Sequence, residues 1–366
     1  ELANLIGNIN AGGGGVNRNV IINGAMNVAQ RSTSETGLGG SNGIFVCDRW
    51  RIGKDQSDGR FTMSQDSSAP SGFANSLKFD CTTADASVAA GEQLIIGQRI
   101  EGQNLQAFAK GTSDAKPFAV SFYVKGNASA TYCCELRDKD NDRTAGKLFS
   151  VTTDWTRVEL TFDADTTGTF DDDNARSLDF NIFLHAGATY NDPSGTLQQT
   201  FGAEVTGNRA VGISSFFDST DRTFFITGVQ LEVGQNPTTF EHEPFETTLR
   251  KCQRYFEMVK NESGQQAAGI AVGYNQSTTA ADMHYFYKEP KRTEPATFTV
   301  TGQSNIRIQH TGTSRNISSG SIAISSNSGT DVARMVLSGA SGSMGDGDGS
   351  CMTFVGDASI SFDSEL

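Results

Sequence analysis

From residue 18 to about 245, apolar residues return at every second position in short runs, and each run stops at Gly, Asn, Asp or Ser. Phe61-Thr-Met63, Ser76-Leu-Lys-Phe79, Phe118-Ala-Val-Ser-Phe-Tyr-Val-Lys125, Thr156-Arg-Val-Glu-Leu-Thr-Phe162 and Leu178-Asp-Phe-Asn-Ile-Phe-Leu184 follow this rule. Compact apolar pieces lie between them: Asn19-Val-Ile-Ile-Asn23, Ile44-Phe-Val46, Leu94-Ile-Ile96, Tyr132-Cys-Cys-Glu-Leu136, Leu148-Phe-Ser-Val151 and Thr223-Phe-Phe-Ile-Thr227. A period of two sends neighbouring side chains to opposite faces of a strand, so each run offers one face to a core and one to water. About ten such strands in one span predict an antiparallel jelly-roll β-sandwich.

The period turns helical once, over 246–258. There Leu249, Cys252, Tyr255 and Phe256 form one apolar stripe, with Thr247 or Thr248 as its cap. From 262 onward the runs shorten and become more polar: Gly269-Ile-Ala-Val-Gly273, His284-Tyr-Phe-Tyr287, Thr297-Phe-Thr-Val300, Ile306-Arg-Ile308, Ile322-Ala-Ile324, Val332-Ala-Arg-Met-Val336 and Ser359-Ile-Ser-Phe362. Strands this short predict a small C-terminal β domain whose core is completed by identical chains. The expected order is an N-terminal connecting segment (1–16, with a hinge at Gly12-Gly-Gly-Gly15), a jelly-roll sandwich (17–245), a linking helix (246–260) and a C-terminal β tip domain (261–366).

Composition agrees with an all-β chain. Glycine occurs 40 times, and 24 Phe outnumber 7 Tyr and 2 Trp, as in folds that keep their aromatics inside. Formal net charge is −13, from 29 Lys and Arg against 42 Asp and Glu. That balance argues against nucleic acid and against an anionic membrane surface, both of which are bound through cationic side chains. It is compatible with a neutral glycan. No apolar run reaches membrane-spanning length and no signal-peptide pattern opens the chain, so no membrane insertion is expected. The first residue is Glu1, which leaves open a fragment or processed product with an anchoring part before it. Six cysteines, Cys47, Cys81, Cys133, Cys134, Cys252 and Cys351, show no C-x-x-C pair, and adjacent strand residues such as Cys133 and Cys134 point apart. They read as free, buried thiols.

Catalytic patterns are missing from the sequence. There is no G-x-S-x-G and no H-E-x-x-H, and the four histidines have no recognisable catalytic spacing, so a non-enzymatic protein without a cofactor is expected. The one ligand-like cluster is Asp138-Lys-Asp140-Asn-Asp142, whose alternating carboxylates could converge on Ca²⁺. Arg143 and Phe149 stand where a calcium-binding EF-hand loop carries Gly and Glu, and a solvated hairpin turn is the competing reading. Trp50 is either a sugar-stacking platform or a core residue, and its alternation with Val46 and Ile52 favours the core. Tyr274, His284, Tyr285 and Tyr287, with Phe286, form the densest aromatic patch of the C-terminal region and the candidate receptor-binding group. Part of that patch must be core, because Tyr285 and Tyr287 share one strand face while Phe286 takes the other.

Several segments together carry a resemblance: Asn19-Val-Ile-Ile-Asn-Gly-Ala-Met-Asn27 with Ala29-Gln-Arg31, Asp48-Arg-Trp50, and Ser121-Phe-Tyr-Val-Lys-Gly126. Ile226-Thr-Gly-Val-Gln-Leu-Glu-Val-Gly234, Pro237-Thr-Thr-Phe-Glu241, Cys252-Gln-Arg-Tyr-Phe256 and the closing Phe362-Asp-Ser-Glu-Leu366 complete it. Read in this order they resemble bacteriophage tail fibres and tail spikes with a carbohydrate-binding-like jelly roll. The resemblance implies a virion structural protein, assembled in the host cytoplasm, homotrimeric, and joined to other phage tail proteins at its N-terminal end. It also implies a distal part that recognises a host-surface glycan or receptor. No catalytic residue carries over. A depolymerase tail spike and a purely architectural fibre segment are the alternatives, separated by release of sugar reducing ends and by failure to bind host cells.

Overall fold

The structure, a computed structural model, describes residues 17–55, 57–261, 267–317 and 319–366; the expected connecting segment 1–16 lies outside the described residues. All strand pairing is antiparallel, and the chain divides into two compact units, one ending at Thr248 (with Leu366) and one spanning Leu249–Glu365. The first unit is the expected jelly-roll sandwich. Its strands are β1 (Ser34–Leu38), β2 (Gly43–Ile44), β3 (Arg51–Asp55), β4 (Arg60–Asp66), β5 (Ser76–Thr83), β6 (Gln93–Glu101) and β7 (Phe118–Gly126). They continue with β8 (Ala130–Asp138), β9 (Arg143–Val151), β10 (Thr156–Phe162), β11 (Arg176–Ala186), β12 (Gly202–Ala203) and β13 (Thr223–Val233). One sheet has the order β1-β4-β5-β13-β7-β10 and the other β12-β9-β8-β11-β6-β3-β2.

The alternation that predicted the strands also fills the core. Phe118, Val120, Phe122 and Val124 from β7 meet Leu178, Phe180, Ile182 and Leu184 from β11 in one apolar cluster. In β13 the inward parity changes partway, from Phe224 and Ile226 to Val229 and Leu231, across an irregularity between Thr227 and Gln230. Gly228 makes the shift at φ +62°, and a Cβ there would lie 2.7 Å from the Phe73 ring, so only glycine fits. Cys134 faces this core while Cys133 joins a small cluster with Ile95, Phe183 and Ala210 on the other side of the sheet, so the two thiols do point apart.

Asn19-Val-Ile-Ile-Asn23 does not form the predicted strand; it enters a turn. Its backbone is claimed by side chains instead. Glu241 accepts hydrogen bonds from the amides of Asn17 (2.6 Å), Arg18 (2.8 Å) and Asn19 (3.0 Å), and Gln98 bonds both the amide and the carbonyl of Ile22. Asn23 then gathers Asn27 N, Val28 N, Val28 O and Asp48 O, and the Trp50 indole donates to Asn23 O at 3.0 Å. Asp48 accepts from the Gln30 amide. The Asn19–Asn27 and Asp48–Trp50 motifs are therefore tied, with Glu241, into one hydrogen-bonded network, and Trp50 is fully buried against Phe180. The sugar-platform reading of Trp50 is excluded.

The helix, α1 (Phe245–Gln253), is shorter than expected, and Thr247 and Thr248 lie inside it, donating their amides to Pro244 O. Residues 256–260 are strand. Phe256 and Val259 favour extended backbone, and a long-range partner, the strand at 359–363, takes up the hydrogen bonds of this stretch. The second unit carries β14 (Phe256–Lys260), β15 (Ala267–Asn275), β16 (Ala281–Phe286), β17 (Thr297–Thr301), β18 (Ile306–His310) and β19 (Thr313–Asn316). It ends with β20 (Ile322–Ile324), β21 (Val332–Leu337), β22 (Gly349–Phe354) and β23 (Ser359–Asp363). A three-stranded sheet, β14-β23-β17, and a seven-stranded sheet, β19-β18-β22-β15-β16-β21-β20, enclose Met283, Tyr285, Ile308, Met335, Met352 and Phe362. These core side chains all come from strands of this chain.

Candidate recognition face

Strand β16 reads Ala-Asp-Met-His-Tyr-Phe. Ala281, Met283 and Tyr285 are buried, which sends Asp282, His284 and Phe286 to the opposite face of the seven-stranded sheet. Cross-strand pairing sets Val272 of β15 opposite His284, and His284 opposite Arg334 of β21. Tyr274 faces Asp282, and Phe286 faces Val332. Val272 (55% exposed), Tyr274 (44%) and Phe286 (66%) are three of the seven large apolar side chains left exposed among the described residues. Scattered exposed apolar residues are ordinary, but three gathered on one sheet face form a patch.

An ion pair between buried Asp282 and half-buried Arg334 holds the centre of this face. Arg334 donates from Nε and Nη2 to the Asp282 carboxylate, at 2.6 Å for Nη2 to Oδ2. Gln276 Nε2 donates to the same oxygen at 3.2 Å and Tyr274 Oη reaches it at 3.5 Å. The Arg334 hydrogen bond, with its positive charge, holds the Asp282 carboxyl below the usual carboxylate range. Such bidentate pairing fixes the directions of the Asp282 and Arg334 side chains in advance. Beside it His284, Thr330, Asp331, Val332 and Arg334 line a depression of about 360 Å³. A second, of about 380 Å³, lies at β18 and β22, between Gln309, His310, Thr313, Ser350 and Cys351.

The expected receptor group is thus split. Tyr274 and half-buried His284 belong to the open face, whereas Tyr285 and Tyr287 are 7% and 9% exposed and belong to the core. Tyr285 stacks on Phe362 (centroids 5.2 Å, 9°) and donates to Glu257 Oε1 at 2.5 Å, and Tyr287 meets Phe362 edge-on. Lys291 Nζ pairs with Glu257 Oε2 at 2.5 Å, both side chains fully buried. Burial, with the Glu257 charge beside them, pushes both tyrosine hydroxyls well above their ordinary pKa. Both rings are buried, whereas Phe286 and Val272 are exposed. The signal that finds them is phase: Phe286 is in step with polar Asp282 and His284, and Tyr285 with apolar Ala281 and Met283.

Asp138, Asp140 and Asp142 do not converge either. Asp138 is fully buried; its Oδ2 pairs with Lys110 Nζ at 2.5 Å and its Oδ1 accepts from the amides of Asp140 and Asn141. Asp140 accepts from Asp171 N, and exposed Asp142 pairs with Lys139 at 2.7 Å. The cation beside Asp138 is the ammonium of Lys110, which also reaches Asp165 at 3.2 Å. Spacing along the chain could not reveal this, because Lys110 is 28 residues away.

No helix among the described residues is long and apolar enough to cross a membrane. No protein-family model matches the chain, and no curated protein matches it. Among solved structures it is similar to the enzymatically active domain of tailspike protein 4 of bacteriophage CBA120, at 13% identity and a TM-score of 0.32. That match covers 59% of this chain and 21% of the tailspike chain. It is also similar to TmCBM61, solved with β-1,4-galactotriose, at 10% identity and a TM-score of 0.32 over 59% of this chain and 99% of that one. A family 30 carbohydrate-binding module matches at 11% identity and a TM-score of 0.30, over 62% and 92% of the two chains.

Proposed function

We propose that this chain is a non-enzymatic attachment protein of a bacteriophage tail fibre, which binds a host-surface glycan through the open face of the second unit's seven-stranded sheet. The observation that carries the reading is the grouping of Val272, Tyr274, His284 and Phe286 around the Asp282–Arg334 pair. Aromatic and aliphatic surface offers a platform for the C–H face of a sugar ring, and a fixed guanidinium with neighbouring hydroxyl and imidazole groups orients its hydroxyls. The motif order from Asn19 to Phe256 supports the tail-fibre assignment. A homotrimer in the virion, attached to other tail proteins through its N-terminal end, would present three such faces, and weak contacts would add through effective concentration.

The test is binding of the full chain to a panel of bacterial strains and to a printed array of bacterial glycans, with oligomeric state read by sedimentation. Phe286→Ala and Tyr274→Ala are expected to lose about tenfold in apparent affinity each, the loss of roughly 1.4 kcal/mol of stacking. Tyr285→Phe, which alters only the core, is expected to bind as the parent does. Unchanged binding by both alanine variants would remove this face from consideration. Liberation of reducing ends from a bound polysaccharide would move the protein to the enzyme class.

A further inference from the structure

At one end of the sandwich three separate segments meet. Asp85 lies in the loop after β5, Glu92 immediately precedes β6, and His185 is near the end of β11. These residues are 8%, 2% and 0% exposed, and one donor atom from each lies within 4.8 Å of the other two. His185 Nε2 is 2.9 Å from Glu92 Oε2, and an oxygen of Asp85 lies within 4.8 Å of both groups. No lysine or arginine among the described residues pairs with either carboxyl. A buried pair of carboxyls beside one imidazole needs compensating positive charge or protons.

The surroundings hold each group so that a donor atom points inward. Glu92 Oε1 accepts from Ala89 N at 2.8 Å, leaving Oε2 toward the imidazole. Asp85 accepts from Ser87 N and Asp58 N, both at 3.1 Å, which leaves each oxygen a further lone pair. His185 Nδ1 lies 2.8 Å from Ser215 Oγ, an oxygen that itself accepts from Phe217 N, and the Phe217 ring packs 5.2 Å from the imidazole. Outer partners that orient each ligand, with an apolar wall behind, are what a metal centre requires. One nitrogen and two carboxylate oxygens suit Zn²⁺ and its first-row neighbours; Ca²⁺ takes six to eight oxygens and seldom an imidazole.

We propose that Asp85, Glu92 and His185 form a structural site for a divalent transition-metal ion, Zn²⁺ by its donor set, that clamps loop 84–92 to β11.

The experiment uses the full chain carrying Cys351→Ser, which removes the one cysteine that is not buried. After chelator treatment it is titrated with Zn²⁺ and with Co²⁺, followed by calorimetry, Co²⁺ visible absorption and melting temperature. One ion per chain is expected, with a Co²⁺ spectrum lacking thiolate charge transfer and a raised Tm. Glu92→Gln and His185→Gln are expected to weaken binding on the order of a hundredfold, and Ser215→Ala about tenfold. Should the ligand variants fail to fold by circular dichroism, Ser215→Ala, which keeps all three ligands, decides the matter. Failure of the folded parent to take up either ion stoichiometrically, or uptake that Glu92→Gln and Ser215→Ala both leave unchanged, overturns the proposal.

Discussion

Glu241 shows how much of this fold depends on single polar side chains. One carboxylate satisfies three consecutive backbone amides, of residues 17–19, that belong to no strand. Unpaired, those donors would lose their charge-assisted bonds. Glu241→Ala is expected to destabilise the sandwich by about 2–3 kcal/mol, measured by urea unfolding with Trp50 fluorescence as the probe. An effect within experimental error would mean that water replaces the carboxylate without loss. Residue identity was legible where phase decided it, as for buried Trp50. It was illegible where a distant partner decided it: Lys110 for the acidic turn, and Glu257 for the tyrosines. The phase of β16 was also available in the sequence. Aromatic density drew attention to the tyrosines, while the polar neighbours of Phe286 marked the outward side.

At the scale of elements, local alternation was a sound guide to strand existence and a poor guide to what each strand pairs with. Thr156–Phe162 is a strand over the predicted residues, and Phe118–Lys125 extends by one, because a period of two survives any choice of partner. Residues 256–260 read as the end of a helix because Tyr255 and Phe256 continue the stripe of Leu249 and Cys252. Their true partner, β23, is about a hundred residues onward, where no helical pattern records it. That partner strand predicts its own sensitivity. Phe362 packs on Tyr285, Tyr287 and Phe298 with no exposed surface. Phe362→Ala is expected to cost about 3–5 kcal/mol, read as a lowered denaturation midpoint of the second unit. A much smaller loss would mean that the three rings close over the space.

For the whole molecule, two separate cores in one chain explain the cysteine pattern. Five thiols are buried and Cys351 is half-buried on β22. Desolvation holds Cys47, Cys133 and Cys134 well above their ordinary pKa and raises Cys81 to about 11. The native chain is expected to show one thiol of the six reacting readily with a disulfide reagent, and all six after unfolding. Rapid reaction of more than one would mean that a unit opens locally. The fold class was visible from composition and period alone. Sheet order was not, since β13 lies between β5 and β7, and such long-range neighbours leave no mark on local sequence.

In both units the final strand in sequence is an interior one. β13 completes the six-stranded sheet from its middle, and β23 joins β14 to β17. On the ribosome, therefore, neither unit can close from its N-terminal side as it emerges. Strands β4 and β5 wait with an unpaired edge until Thr223–Val233 has been synthesised, and β14 and β17 wait for Ser359–Asp363. Until then apolar strands with open edges are exposed to other nascent chains. The organisation makes each unit all-or-none with respect to synthesis: a ribosome that stops early releases a chain missing the centre of a sheet, which quality control can recognise and remove.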